Sequence, residues 1–242
     1  MNSSTTSNSS LSPQAANEKT TGSKPQRIVI LISGRGSNMQ SIVQMAQGRS
    51  DMEVVAVIAN RADSAGLVWA EAQGITTELV PHRDYSDRLS FDQALMARID
   101  SYQPDWVILA GFMRILTDVF VEHFMAKLIN IHPSLLPLFP GLDTHQRALE
   151  AGCTVHGSTV HFVTPELDAG PTIAQSLVPI LASDDEESLT ERVLSTEHLL
   201  YPAVVQYLVG GDCYLNEQGE VQWTKPVPRL FAHSSVKDFM SN

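Results

Sequence analysis

The chain has 242 residues, with 16 Lys plus Arg against 27 Asp plus Glu, a formal net charge of −11. That length suits one α/β domain with appendages, and the acidity argues against generic binding to nucleic-acid backbones, which would repel it. No apolar run approaches the ~20 residues needed to span a bilayer, no basic-then-apolar secretory signal opens the chain, and two cysteines, Cys153 and Cys213, cannot build a disulfide framework. A soluble, reduced, cytoplasmic protein with neither membrane nor nucleic-acid partner is expected.

Residues 1–26 are rich in Ser, Thr and Asn, and cannot bury enough surface to offset the entropy of ordering. They read as a disordered tail, and the absence of Arg before Arg27 argues against a transit peptide. Arg27–Ile32 is a nearly continuous apolar run, the pattern of a strand buried on both faces. The turn Ser33-Gly34-Arg35-Gly36-Ser37-Asn38 then opens a helix to about Gln47, stopped by Gly48. Val54–Ala59 is a second buried strand, 62–73 a helix closed by Gly74, and 75–80 a third strand. The segment 86–102 is amphipathic, with Phe91, Leu95, Ile99 and Tyr102 on one face. Trp106–Ala110 and Leu128–His132 are further buried strands. Such alternation predicts an α/β fold with a mostly parallel, Rossmann-like sheet and helices on both faces.

The second half changes character. Gly157–Val163 and Pro171–Ile180 flank a turn and predict a hairpin that extends the sheet. Ser183 with Glu186 has capping-box spacing, opening a long helix with Leu189, Val193, Leu200, Val204 and Leu208 on its apolar side. Pro202 is expected to kink or interrupt that helix. The acidic run Asp184–Glu187 suits the positive end of its dipole. Residues 212–223 add a small hairpin, and about 231–242 form a C-terminal tail, leaving 27–230 as a single domain.

Leu128-Ile129-Asn130-Ile131-His132 is the most informative stretch. Side chains alternate along a strand, so Asn130 and His132 face the same side, roughly 7 Å apart. They stand at the carboxyl end, where open parallel sheets bind ligands. An amide donor beside an imidazole can polarise a carbonyl oxygen; the plainer alternative is two polar residues capping a strand end. Three prolines between Pro133 and Pro140 stiffen the following loop. Asp168, in the turn Pro165–Pro171, either satisfies its own turn or aims a carboxylate at an imidazole, favouring its charged form. The Gly34–Asn38 turn suits a phosphate, but Met39 occupies the third glycine position of a dinucleotide fingerprint and no Walker lysine is present. The histidine pairs His156 with His161 and His132 with His145 lack zinc-ligand spacing, so no metal is expected.

Taken together, I-S-G-R-G-S-N at 32–38, A-G-F-M-R-I-L at 110–116, N-I-H-P-S-L-L-P at 130–137, E-L-D-A-G-P at 166–171 and E-H-L-L-Y-P at 197–202 resemble the phosphoribosylglycinamide formyltransferases of purine synthesis. The resemblance runs from about Arg27 to Trp223. It implies a formyltransferase-type domain that carries the formyl group of 10-formyltetrahydrofolate, as co-substrate, to the amine of 5-phosphoribosylglycinamide, with no metal. It also implies the roles of residues. Asn130, His132 and Asp168 match the catalytic trio. Gly36, Ser37, Asn38 and the turn Leu194, Ser195, Thr196, Glu197 would hold the ribonucleotide. Arg88, Met113, Arg114, Ile115, Leu116, Asn130, Thr164, Pro165, Glu166, Leu167 and Asp168 would line the folate site. Three positions depart from the family pattern: Asp143 replaces a frequent His, Leu138 a Lys and Ala169 a Gly.

Two relatives on the same core are alternatives, a formyltetrahydrofolate hydrolase and a methionyl-tRNA formyltransferase. The first normally carries an N-terminal regulatory domain and the second a basic C-terminal one; neither is expected in this sequence. A non-catalytic phosphate-binding module would need the Gly-rich turn but not the trio. The partners implied are small molecules, with the chain acting as a monomer or homodimer.

Overall fold

The structure is a computed structural model and describes residues 24–234. The expected tails therefore lie outside the described residues over 1–23 and 235–242. At their inner edges strand replaces tail: β1 spans Gln26–Ile32 and the last strand, β10, spans Leu230–Ala232. Between them run α1 (Ser37–Ala46), β2 (Met52–Ala59), α2 (Ala65–Ala72), β3 (Thr77–Leu79), α3 (Arg88–Asp100), β4 (Trp106–Leu109), α4 (Asp118–His123) and β5 (Leu128–His132). Then come α5 (Thr144–Glu150), β6 (Val155–Phe162), β7 (Thr172–Pro179), α6 (Glu186–Val209), β8 (Cys213–Leu215) and β9 (Val221–Trp223).

An eight-stranded sheet has the order β10-β7-β6-β5-β4-β1-β2-β3. From β3 to β5 every pairing is parallel. Strand β6 runs antiparallel to both β5 and β7, so the expected hairpin is present as an extension of the sheet. Strands β8 and β9 form the small hairpin expected near residue 220. The chain leaves β1 toward β2 and returns beside β1 as β4, which places the topological switch between β1 and β4.

Burial explains the apolar runs. Ile28, Ile30 and Ile32 of β1 pack with Met39 and Ile42 of α1 and with Leu200 and Val204 of α6. Val29 and Leu31 face the other way, onto Phe91, Leu95 and Ile99 of α3 and Phe120 of α4. Helices thus cover both faces, and strict alternation in β1 assigns each residue its side. Tyr201 of α6 is fully buried and shares its one hydroxyl proton between the carbonyls of Leu109 (3.0 Å) and Ile129 (3.2 Å), tying the long helix to β4 and β5.

Two details of the C-terminal half differ from expectation. The cap of α6 is not Ser183 with Glu186. Asp185 accepts from the Ser188 amide at 2.9 Å, and Ser188 Oγ accepts from the Asp185 amide at 3.1 Å. Asp184 is occupied by Arg192 and by the Leu181 amide, so residues 181–184 form a turn and the helix starts after it. Nor does Pro202 interrupt the helix, which runs unbroken to Val209. Leu200, Tyr201, Val204 and Val205 are buried on both sides of Pro202, and this packing keeps the helix continuous despite the missing N–H.

Candidate active site

The trio read from the sequence comes together. Asn130 and His132 are the third and fifth residues of β5, and β6 lies antiparallel beside it, with Asn130 opposite His161 and His132 opposite Thr159. Opposed residues share a face, so four polar side chains converge. Asp168 reaches them from the β6–β7 turn. Its backbone is left-handed (φ 52°), a conformation Asp tolerates better than most residues. Gly170 lets this turn close, because a Cβ there would lie 1.8 Å from the Phe162 carbonyl oxygen. One Asp168 oxygen, Oδ2, accepts from the Gly141 amide at 2.9 Å and stands 3.4 Å from His132 Nδ1. The other, Oδ1, stands 4.0 Å from His161 Nε2.

His132 is fixed from its far side as well. Its Nε2 lies 2.9 Å from the Phe139 carbonyl, which can only accept, so that nitrogen carries a proton. The proline-rich loop is itself pinned. Ser134 Oγ donates to the Leu138 carbonyl at 2.6 Å, Thr159 Oγ1 to the Ser134 carbonyl at 2.7 Å, and Arg147 Nη1 to the Pro140 and Leu142 carbonyls. The loop is a braced wall, as its prolines suggested. Asp143, which stands where the family often has His, only precedes α5 with a left-handed backbone.

His161 is the functional neighbour that sequence reasoning missed, having considered it only as a metal ligand. Its Nδ1 lies 2.9 Å from the Phe162 carbonyl and must donate there. Burial depresses its proton affinity, leaving the ring neutral and Nε2 an acceptor. Nε2 then takes one N–H of Asn130 at 3.3 Å, and the second N–H of that amide remains to be donated to a ligand. Alternation through 157–163 carried the signal, since it sets His161 in register with Asn130 once the antiparallel pairing is known.

At the switch point, one strand from Asn130, a cavity of about 230 Å³ lies between the Ser33–Asn38 turn and Ala110, Gly111 and Met113. Gly36 adopts φ 69° and opens α1 without a side-chain cap, which leaves the first amides of the helix unclaimed within it. Asn38 donates from Nδ2 to Glu197 Oε2 at 2.7 Å, while its own Oδ1 is buried with no protein partner. Glu197 is buried, and desolvation pushes its carboxyl up to about 6 despite the opposing Asn38 bond. The expected ribonucleotide residues Gly36, Ser37, Asn38 and Glu197 therefore meet. Their neighbours on α6 do not join them through their polar groups: the Ser195 hydroxyl bonds the Arg192 carbonyl, Thr196 Oγ1 bonds Ser176 and Val193, and Leu194 is half-buried.

The expected folate residues border the same edge. Met113 and Ile115 are exposed, while Leu116 and Val163, the residue before Thr164, both pack on the cluster beneath α3 and α4. The Met113 amide donates to Ser33 Oγ at 2.8 Å, and Arg114 stacks over Phe91 at 5.2 Å. Arg88 begins α3, one turn before Phe91, and is exposed. Among the described residues no group of three or more His, Cys, Asp or Glu is placed to hold a metal, and no helix is long and apolar enough to cross a membrane.

Comparison with known proteins fits this arrangement. Residues 26–205 match the family model for formyl transferase. The phosphoribosylglycinamide formyltransferase of Escherichia coli (strain K12) is 47% identical over 191 residues, covering 78% of this chain and 90% of that protein. The trifunctional purine biosynthetic protein adenosine-3 of Homo sapiens is 42% identical over 93% of this chain, which spans only 22% of it. A solved phosphoribosylglycinamide formyltransferase from Coxiella burnetii superposes with TM-score 0.80 at 43% identity, covering 86% of this chain and all of that one. The chain belongs to the formyl transferase family, among its phosphoribosylglycinamide formyltransferases.

Proposed function

We propose that the chain transfers the formyl group of 10-formyltetrahydrofolate to the amine of 5-phosphoribosylglycinamide, giving the formylated ribonucleotide and tetrahydrofolate. The observation that carries this reading is the Asn130 amide, held by His161 through one N–H and left with the other, beside His132 and Asp168, with β4 alone between its strand and β1, which leads into the phosphate-suited turn.

The amine nitrogen attacks the formyl carbon, forming a new C–N bond and placing negative charge on the formyl oxygen. Asn130 donates its second N–H to that oxygen. His132, held between the Asp168 carboxylate at 3.4 Å and the Phe139 carbonyl at 2.9 Å, stands beside it as the second polarising group. The attacking nitrogen loses a proton, the bond from the formyl carbon to the folate nitrogen breaks, and that nitrogen gains a proton. Asp168 and His132, joined by a water, are the relay. The Gly36–Asn38 turn and Glu197 hold the phosphoribosyl end, and Arg88, Met113–Leu116 and Thr164–Asp168 line the folate side. The chain works on these small molecules in the cytoplasm, as a monomer or homodimer, without nucleic acid.

The test is spectroscopic. Protein, ribonucleotide and a formyl-folate analogue are mixed, and release of the deformylated folate is followed. Release that requires the ribonucleotide supports the reading. Formate released without it points to a hydrolase, and binding without turnover to a non-catalytic module.

A further inference from the structure

We propose that Arg35 is the charge that anchors the phosphate in the cavity at the switch point, and that Arg61, on the same cavity wall, is a bystander. The proposal rests on the reading of that cavity as the ribonucleotide site, and names the residue that sets its affinity for the anion.

Several independent observations meet there. The uncapped start of α1 presents unclaimed amides of the kind that bind phosphate. Asn38 is only 8% exposed, lines the cavity and carries a buried Oδ1 with no protein partner, so the cavity is built for a polar ligand. The chain as a whole carries −11, which opposes the approach of a phosphate monoester of charge about −1.5 to −2. A local cation is therefore needed, and two arginines line the cavity. Arg61 is already engaged. It grips Asp63 in a two-bond fork, Nε to Oδ1 at 3.0 Å and Nη2 to Oδ2 at 2.7 Å, and this pair raises the arginine's proton affinity and lowers that of the aspartate. Arg35 differs: among the described residues its guanidinium has no hydrogen-bond or ion-pair partner, and only its backbone carbonyl is engaged, by Gln40 Nε2 at 3.4 Å. It sits between the two glycines of the turn, on the exposed rim of the cavity. An unpaired guanidinium fork is matched to two phosphate oxygens, and an exposed one can swing onto a ligand without breaking a native contact.

The experiment measures steady-state kinetics of the whole chain against ribonucleotide at ionic strengths from about 0.02 to about 0.5 M, where screening lengths shrink several-fold. Arg35→Ala is expected to raise KM for the ribonucleotide about tenfold at low salt, as one charge-assisted phosphate contact would. It should leave kcat and the folate KM within about twofold and flatten the salt dependence of the ribonucleotide KM. Arg35→Lys should restore part of the salt dependence, because it keeps the charge and loses the fork. Arg61→Ala should change the ribonucleotide KM less than about threefold, because Asp63 already neutralises it. Inorganic phosphate, as a competitive inhibitor, should weaken with Arg35→Ala and hold with Arg61→Ala. Should Arg35→Ala yield too little folded protein, Arg35→Gln serves the same comparison. A ribonucleotide KM and salt slope in Arg35→Ala equal to those of the parent would overturn the proposal while leaving formyl transfer intact. Failure of the unaltered chain to use the ribonucleotide at all would instead sink the reading beneath it.

Discussion

The parallel half of the sheet and its antiparallel extension build their parts of the site differently. In β1 and β4 the strands are apolar over their buried lengths, and the cavity is lined by the segments at their carboxyl ends: the Ser33–Asn38 turn after β1 and Ala110, Gly111 and Met113 after β4. In β5 and β6 the polar groups are strand residues themselves, Asn130, His132, Thr159 and His161, locked in register by the antiparallel ladder. A loop after a parallel strand can wrap a ligand; a side chain fixed by strand register can hold a reacting atom to a fraction of an ångström. On the proposed function, the turn after β1 holds the ribonucleotide and the β5–β6 pair carries turnover.

Replacing Asn130 by Ala attacks the β5–β6 pair directly and should have the largest effect. Losing the oxyanion donor should lower kcat about 10²- to 10³-fold with little change in either KM, as measured by folate release. Asp168→Asn comes next. It keeps the left-handed turn and an acceptor for the Gly141 amide while removing the charge beside His132. A fall in kcat of roughly 10²-fold is expected, with a melting temperature close to the parent's.

Glu197→Gln probes the ribonucleotide end of the site, where α6 meets the turn after β1, and its effects on binding and stability have opposite signs. The folded carboxyl titrates at about 6 against an ordinary 4.5. The stability this group provides is fully present below pH 4.5 and is lost as pH rises through about 6. At pH 8 the buried carboxylate then costs about 2 kcal/mol, so the variant should melt a few degrees higher than the parent. Its ribonucleotide KM should nonetheless rise about tenfold, because a carboxylate accepts from ribose hydroxyls better than an amide does. In the parent that KM should worsen as pH falls through about 6, where Glu197 takes up a proton.

The smallest effect is expected behind the wall of the extension. His156 is buried against Phe139 and His145, and desolvation, the largest cause, pushes its imidazole down from 6.5 to about 4. Its contribution to stability is present above pH 6.5 and is lost as pH falls toward about 4, because the unfolded chain takes up the proton first. Chemical denaturation of His156→Gln should show a flatter loss of stability across that window than the parent does.

The same contrast between local and long-range order separates the features legible in the sequence from those that are not. Continuous apolar runs mark β1, β2, β4 and β5, and strand alternation pairs Asn130 with His132, because these signals are local. Asp168 can be placed beside His132 only through the family resemblance, since the turn that delivers it lies a whole strand and a helix further along the chain. The role of His161 depends on an antiparallel register that no local pattern states. Ser183 and Glu186 have the right spacing for the cap of α6 and still do not form it. The competing Asp184–Arg192 pair, which ends the turn, spans eight positions and becomes visible only in three dimensions. The missing N–H of Pro202 points to a kink or an interruption, and α6 nonetheless continues through it with Tyr201 and its neighbours buried.

The division of labour is tested most directly by measuring kcat and the ribonucleotide KM side by side in Asn130→Ala and Glu197→Gln at pH 8. The account predicts that Asn130→Ala loses kcat with its KM within about threefold of the parent, and that Glu197→Gln loses affinity with its kcat within about threefold. A crossed result, with KM rising in Asn130→Ala and kcat collapsing in Glu197→Gln, would contradict it.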